Sequence, residues 1–171
     1  MIRVAILTIS DSAASGKRED LSGPALESRV KELNLLVVDR TAVADDEQAI
    51  ARQLSEWADG AVASVILTSG GTGVAARDVT PEATRSVIDR EIPGVAELMR
   101  SKGLEQTRMS VLSRAVAGTR KRSFIVNLPG SPRGAVHSLN AIAPLIPHII
   151  ELLEGHTAHE PHSNEKLESG C

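Results

Sequence analysis

Short aliphatic runs alternate along this chain with segments of helical periodicity, and this alternation limits the possible folds more than any other feature. The runs cover residues 4–9, 35–38, 62–67 and 124–128. Helices are predicted to begin near residues 23 and 46 and to cover residues 81–91, 94–102, 134–141 and 145–153, with a weaker helical pattern at 111–116. Continuous apolar strands separated by helices are typical of a parallel sheet covered on both faces. We therefore expect an α/β fold, a three-layer sandwich with a mostly parallel sheet and helices on both faces.

Length and composition fit one folded domain. The chain has 171 residues, of which 42% are hydrophobic and 24% charged. We expect the domain to cover residues 1–154 and a polar, disordered tail to cover residues 155–171. The single cysteine, Cys171, cannot form an internal disulfide, which favours a reducing cytoplasm. No apolar run is long enough to span a bilayer, so we expect no membrane segment.

Charge and aromatic content argue against nucleic acid as a partner. The formal net charge is -3, and the only aromatic residues are Trp57 and Phe124. Single-stranded nucleic acid is usually held by aromatic stacking and a positive groove, and duplexes by basic surfaces. We therefore expect no nucleic-acid binding.

A glycine-rich loop follows the third aliphatic run and suggests a phosphorylated ligand. Glycine lets the backbone turn sharply and bring its N–H groups close to an anion. Asp78 follows in the same loop, and a carboxylate beside phosphate requires a cation such as Mg²⁺ between them. Thr80 and Pro81 are typical of a helix start, with Thr80 as the N-cap. The loop residues are Ser69, Gly70, Gly71, Thr72 and Gly73.

Two other interpretations of the glycine loop are open. It could be only a tight turn. Residues 71–76 also fit the G-x-G-x-x-G/A fingerprint of dinucleotide-binding proteins, which would indicate a nicotinamide cofactor. That fingerprint requires the helix to open within the motif, whereas the helix signals here come later, at Thr80 and Pro81. The length of the loop therefore disfavours the nicotinamide interpretation.

Loops that follow the predicted strands bring acids and hydroxyls to one edge of the sheet. They cover residues 10–12, 45–46, 69–78 and 130–132. In open α/β sheets, ligands bind outside the carboxyl ends of the strands. Asp46 and Asp78 are the candidate pair that could share Mg²⁺ and hold nucleotide phosphates. Asp46 could equally be a helix N-cap, Asp45 could take either role, and Asp78 could be a turn residue. Arg114 is the best candidate for a phosphate contact, unless it lies on a solvated basic face.

Several motifs in order resemble the molybdopterin adenylyltransferase family of molybdenum cofactor synthesis. They are residues 8–11, 20–23, 46–48, 67–73, 77–83, 112–114 and 127–132, within a resemblance that runs from about residue 4 to 153. The resemblance implies that the terminal phosphate of molybdopterin attacks the α-phosphorus of ATP and releases pyrophosphate. A molybdopterin-binding module without catalysis is the alternative.

The same resemblance implies roles for individual residues. Asp46 and Asp78 correspond to catalytic acids that bind Mg²⁺, although the extra Asp45 leaves the register of the first acid open. Residues 69–73 correspond to the nucleotide-phosphate loop. The resemblance also implies a homotrimer, with a hexamer as the alternative, and contact with other enzymes of molybdenum cofactor synthesis. The substrate-binding positions that it implies are Ser10, Asp11, Ser113, Gly130 and Ser131.

Overall fold

The computed structural model describes residues 1–155 and contains one six-stranded sheet. The strand order is β2-β1-β3-β6-β5-β4. β1, β2, β3 and β6 are parallel, whereas β4 and β5 are antiparallel additions at one edge. The expected tail lies outside the described residues, apart from Gly155. The strands are β1 (Arg3–Ile9), β2 (Leu36–Val43), β3 (Val65–Ser69), β4 (Arg90–Glu91), β5 (Ala117–Arg120) and β6 (Ser123–Leu128).

Helices cover both faces of this sheet, which confirms the predicted α/β sandwich with a mostly parallel sheet. α2, α5, α6 and α7 pack on one face, and α3 and α4 pack on the other. Short 3₁₀ helices cover Arg108–Leu112 and Ala143–Leu145. The α-helices are α1 (Asp11–Ala14), α2 (Ser22–Glu32), α3 (Glu47–Asp59), α4 (Thr80–Val87), α5 (Pro93–Gly103), α6 (Pro132–Ile142) and α7 (Ile146–Leu153).

Strand β1 shows why the central strands are aliphatic at every position. Val4 and Ile6 are fully buried in the core beneath α2 and α6. Ala5 and Leu7 point to the opposite face and are fully buried against α3 and α4. Because successive side chains of a strand alternate between faces, a strand covered on both sides needs apolar residues throughout.

The antiparallel edge differs from the sequence prediction. The segment at 111–116 was expected to be helical, but the structure has a 3₁₀ helix at Arg108–Leu112 followed by strand β5. The helix expected over 81–91 ends at Val87, because Ile88 is extended and leads into β4. Strand β2 also continues to Val43, beyond the aliphatic run at 35–38 that predicted it. At the β4–β5 edge, strand formation depends on pairing of β5 with β6, a tertiary contact that local sequence patterns do not encode.

One helical stretch passes the test for a membrane span by length and composition alone. It covers Pro132–Leu153, which comprises α6, a 3₁₀ turn and α7. Leu139, Ile142, Ile146 and Ile150 of this stretch are buried in the core that contains α2 and α5. A core helix of a folded domain passes the same length and composition test, and packing in this core explains the apolar residues at these four positions.

Candidate active site

The loops that follow β3 and β6 touch each other at the carboxyl edge of the sheet, next to the end of β1. The backbone N–H of Gly70 donates to Leu128 O at 3.2 Å, and Ser69 Oγ donates to Pro129 O at 2.9 Å. A Cβ placed on Gly130 would lie 3.2 Å from the Cα of Gly70. The chain leaves β1 toward β2 and later returns to β3 on the other side of β1, so this edge is a topological switch point. The structure therefore brings the predicted loops to the position where α/β sheets bind ligands.

The turn of the glycine loop can be made only by residues without a side chain. Gly70 has φ +111°, and a Cβ there would lie 2.3 Å from Ile9 O. Gly71 has φ +64°, and a Cβ there would lie 2.3 Å from Thr80 Oγ1. Both positions combine a left-handed backbone with contacts too close for any other residue. The glycines are therefore required by geometry and not by flexibility.

Thr80 fixes the first half of this loop. Its Oγ1 donates to Gly70 O at 2.9 Å, and its backbone N–H donates to Gly71 O at 3.2 Å. Thr80 was predicted to be the N-cap of α4, but Val79 occupies that position and Thr80 is the first helical residue. The Thr80 hydroxyl thus stabilises the loop instead of capping its own helix.

Arg114 fixes the second half of the glycine loop. Its backbone N–H donates to Thr72 O at 2.9 Å, and its Nε donates to Gly73 O at 2.7 Å. Its Nη2 donates to Asp78 O, and its Nη1 forms an ion pair with the Glu82 carboxylate. The guanidinium is therefore directed at protein oxygens, whereas the sequence suggested a phosphate contact.

The carbonyls of residues 70–73 are all hydrogen-bonded, but most of their amides are not. The N–H groups of Gly71, Thr72 and Gly73 have no hydrogen-bond partner in the part of the chain that the structure describes. Successive free backbone amides in a turn form a concavity that attracts anions. A loop with its acceptors occupied and its donors free is suited to phosphate and not to a cation.

Asp78 lies beside these amides. Its Oδ2 accepts a hydrogen bond from the backbone N–H of Ala75 at 2.9 Å. A Cβ placed on Gly73 would lie 2.7 Å from the same oxygen, so the carboxylate lies against the glycine loop. Oδ1 of Asp78 has no partner among residues 1–155. One carboxylate oxygen is thus available next to the candidate phosphate position.

The neighbouring acids Asp45 and Asp46 have different contacts. Oδ2 of Asp45 accepts from the backbone N–H of Asp11 at 3.0 Å, and Oδ1 of Asp11 accepts from the N–H of Asp45 at 2.9 Å. These reciprocal bonds join the loops after β1 and β2. Oδ1 of Asp46 accepts from the N–H of Ala49 at 2.7 Å, so Asp46 is the N-cap of α3. Within the described chain the second oxygen of Asp46 has no partner and is available to a ligand.

These acids do not form a complete metal cage. In residues 1–155, no group of three or more His, Cys, Asp and Glu side chains could hold a metal ion. Mg²⁺ is usually held by one or two carboxylates together with water and substrate phosphates. Asp46 and Asp78 each have one free carboxylate oxygen of the kind that such a site uses, and they lie in the loops after β2 and after β3.

Two cavities lie on either side of the loop after β6. One, of about 260 Å³, is lined by Thr72, Ser113 and Ser131, and also by apolar groups such as Met99 and Pro129. The other, of about 340 Å³, has a rim rich in hydroxyl groups. Ser131 lines both cavities, and Asp11 lines neither. The predicted site residues that line the second cavity are Ser10, Ser69, Gly130 and Ser131.

Sequence reasoning missed a buried polar group beneath the glycine loop. Asn127 is fully buried in β6, and its Nδ2 donates to Oγ1 of Thr68 at 3.1 Å and of Thr84 at 2.9 Å. Thr84 Oγ1 in turn donates to Thr80 O at 2.8 Å. The sequence did contain a signal for this group, because Asn127 is an amide side chain within an otherwise apolar strand. A buried amide must have hydrogen-bond partners, so its position indicates a buried polar network.

An ion pair between Arg114 and Glu82 lies next to the loop. The hydrogen bond from Arg114 lowers the pKa of the Glu82 carboxyl below its ordinary value of 4.5. A charge-assisted pair of this kind is more directional than a neutral hydrogen bond. Glu82 therefore stays ionised at neutral pH and keeps the guanidinium in place.

A loop of free amides beside the carboxylate of Asp78, at the switch point of a mostly parallel sheet, is typical of α/β proteins that bind phosphorylated ligands. Residues 5–148 match the family described as a probable molybdopterin binding domain, and the chain belongs to this family.

Relatives and solved structures agree with this family assignment. The chain is 40% identical over 156 residues to the molybdopterin adenylyltransferase of Helicobacter pylori strain J99, covering 90% of this chain and 89% of that one. It is 39% identical over 168 residues to the molybdopterin adenylyltransferase of Escherichia coli K12, covering 90% and 86%. The crystal structure of the molybdopterin biosynthesis enzyme MoaB from Thermus thermophilus superposes with a TM-score of 0.85 at 48% identity, covering 91% of this chain and 98% of that one.

Proposed function

We propose that this chain is a molybdopterin adenylyltransferase that acts in molybdenum cofactor biosynthesis. It transfers AMP from Mg-ATP to the terminal phosphate of molybdopterin and releases pyrophosphate. The observation that carries the proposal is the set of free amides at Gly71, Thr72 and Gly73 beside the carboxylate of Asp78. The names of the relatives from Helicobacter pylori and Escherichia coli support the same reaction.

The transfer needs positioning and charge neutralisation more than covalent help from the protein. A phosphate oxygen of molybdopterin forms the new bond to the α-phosphorus of ATP, and the bond from that phosphorus to the bridging oxygen breaks, so that pyrophosphate leaves. The amides of residues 71–73 bind nucleotide phosphate oxygens and hold them in line for this displacement. Asp46 and Asp78 hold Mg²⁺, which when bound neutralises phosphate charge.

The two cavities provide room for two ligands that meet at Ser131. The molybdopterin site includes Ser10, Asp11, Ser113 and Gly130 together with Ser131. Four of these line one or both of the cavities, and Asp11 contributes by fixing the loop that carries Asp45. Cavities of about 260 and 340 Å³ are individually at the small end for drug-sized ligands, and the molybdopterin positions line both of them, Ser113 the first and Ser10 and Gly130 the second.

The assembly and the cellular context are part of the same proposal. The protein forms a homotrimer, with a hexamer as the alternative, in the cytoplasm, where other enzymes of molybdenum cofactor synthesis are its partners. Sedimentation equilibrium at micromolar concentration distinguishes the trimer from the hexamer and from a monomer. A monomer that is active at those concentrations would contradict this part of the proposal.

A single-turnover assay with α-labelled ATP, Mg²⁺ and fresh molybdopterin tests the reaction. We expect label on the pterin with the unmutated protein and a loss on the order of 10²–10³-fold with Asp78→Asn. Asparagine keeps an acceptor for Ala75 N–H, so the loop is retained. Glu97→Gln, which removes an exposed carboxylate from α5, is the control and keeps full activity.

The assay also distinguishes a non-catalytic binding module, which the description of the family as a binding domain favours. Molybdopterin binding without label transfer would support that alternative. Full activity of Asp78→Asn would remove Asp78 from the proposed metal site.

A further inference from the structure

Arg114 anchors both ends of the loop segment that carries Asp78. At one end it holds Thr72 O through its backbone N–H and Gly73 O through Nε. At the other end its Nη2 holds Asp78 O. One residue from a distant part of the sequence thus closes the segment from residue 72 to residue 78.

Glu82 keeps the guanidinium in this orientation. It lies in the first turn of α4, and both of its carboxylate oxygens accept from Arg114. The planar guanidinium can address Gly73 O, Asp78 O and the Glu82 carboxylate at the same time, which the single ammonium of lysine cannot do. The side chains of Arg114 and Glu82 are 36% and 42% exposed, so the pair forms at the surface and is not required to fill the core.

We infer that Arg114 is a positioning residue for the transfer proposed above, on which this inference rests. It turns the carbonyls of residues 72 and 73 toward itself and so leaves the adjacent amides and the Asp78 carboxylate directed at the nucleotide. Glu82 is a second positioning residue, because it orients the guanidinium of Arg114. Arg114 acts through the loop and does not contact phosphate.

A direct phosphate contact would give the opposite result on removal of Glu82. If Arg114 turned toward phosphate, the Glu82 carboxylate would compete for it, and Glu82→Gln would strengthen nucleotide binding or leave it unchanged. If Arg114 positions the loop, Glu82→Gln loosens the guanidinium and weakens nucleotide binding. Arg114→Lys tests the positioning contacts themselves, because lysine keeps the charge but cannot make the set of contacts that Nε, Nη1 and Nη2 make.

The test is calorimetric titration of the full chain with Mg²⁺ and α,β-methylene-ATP, a non-hydrolysable analogue. We expect the Kd to rise about tenfold for Arg114→Lys, the scale of one charge-assisted hydrogen bond, and about threefold for Glu82→Gln, the scale of an exposed ion pair. Arg85→Lys is the matched control. Arg85 lies on the same helix, pairs with Glu91 at 3.6 Å and does not touch the loop. The Kd of the Arg85→Lys variant for the nucleotide analogue is therefore expected to stay at the wild-type value.

Amide hydrogen exchange and steady-state kinetics separate positioning from general destabilisation. In the ligand-free variants, the hydrogen-bonded amides of Ala75 and Asp78 are expected to exchange faster, while amides of β1 and β3 keep their protection. The KM for ATP rises in Arg114→Lys, and kcat at saturating ATP changes little. Urea unfolding verifies that each variant is folded at the assay temperature.

The possible outcomes decide between the inference and the proposed function. Wild-type affinity in Arg114→Lys, or unchanged or tighter binding in Glu82→Gln, would overturn the positioning role. If the unmutated chain bound no nucleotide, the proposed function would fail. Hydrogen exchange alone would then decide whether Arg114 orders the loop, and unchanged exchange at the bonded amides of Ala75 and Asp78 would overturn that role.

Discussion

Replacing Thr80 with valine tests whether the glycine loop is held by a single buried hydroxyl. Thr80 is fully buried, and its Oγ1 donates to Gly70 O at 2.9 Å. Valine has nearly the same shape and keeps the backbone N–H that donates to Gly71 O. The substitution therefore removes one hydrogen bond and leaves the packing almost unchanged.

The expected cost follows from leaving a buried carbonyl without its donor. Such a group costs about 1–3 kcal/mol of unfolding free energy. For a chain of this length each kcal/mol lowers the melting temperature by about 2–4 °C, so the melting temperature should fall by about 2–12 °C. Because the freed carbonyl belongs to the first glycine of the loop, affinity for Mg²⁺ and α,β-methylene-ATP should fall as well.

Urea unfolding measures the loss of unfolding free energy, and calorimetric titration measures the loss of affinity for the nucleotide analogue. Thr41→Val is the matched control, because Thr41 lies half-buried in the edge strand β2 and its hydroxyl has no hydrogen-bond partner in the described residues. The control should change the unfolding free energy by less than about 0.5 kcal/mol. If Thr80→Val were as stable as Thr41→Val and bound the nucleotide analogue equally well, the argument that Thr80 holds the loop would be refuted.

Two further predictions concern acidic residues: the neighbouring pair Asp45 and Asp46, and Glu82. In the single-turnover assay, Asp46→Asn should reduce label transfer on the order of 10²-fold, because asparagine still caps α3 but removes the carboxylate charge. Asp45→Asn should keep label transfer within about threefold of the unmutated protein. If Asp45→Asn were the more damaging variant, the metal would be assigned to Asp45. The lowered pKa of Glu82 means that its pair with Arg114 adds full stability above pH 4.5 and loses it as the pH falls through the lowered pKa. Urea unfolding from pH 6 to pH 3 should therefore show a shallower acid loss in Glu82→Gln, and equal slopes would contradict the pair's contribution.

The parallel part of the fold could be predicted because each central strand is buried on both faces. Residues such as Val4 and Ala5 point to opposite cores, so the strand appears in the sequence as an unbroken aliphatic run. Strands β4 and β5 have only two and four residues and include positions that are exposed or half-buried, so they leave no such run. The turn between β5 and β6 gives no sequence signal for a hairpin either, because Lys121 adopts φ +50° where glycine or asparagine would be expected.

The candidate site was predictable in position but not in the direction of its side chains. Topology alone placed the loops with Asp46 and Asp78 at one edge of the sheet. The sequence could not show that Arg114 is directed at Gly73 O and Glu82, because these partners are 41 and 32 residues away. The same limit applies to Thr80, which has the residue type of a helix cap but donates to Gly70 O, 10 residues away.

Polar residues inside apolar strands explain how a loop of glycines can still have one conformation. Asn127 bonds Thr68 of β3 and Thr84 of α4, and its Oδ1 accepts from the backbone N–H of Val116 at 3.1 Å. Thr84 then holds Thr80 O, while the hydroxyl of Thr80 holds Gly70 O. An unsatisfied amide in this position would be costly, so the network favours one arrangement of strand, helix and loop together. The order of the first half of the glycine loop thus derives from hydrogen bonds that begin in the sheet beneath it, and glycine permits the turn that these bonds fix.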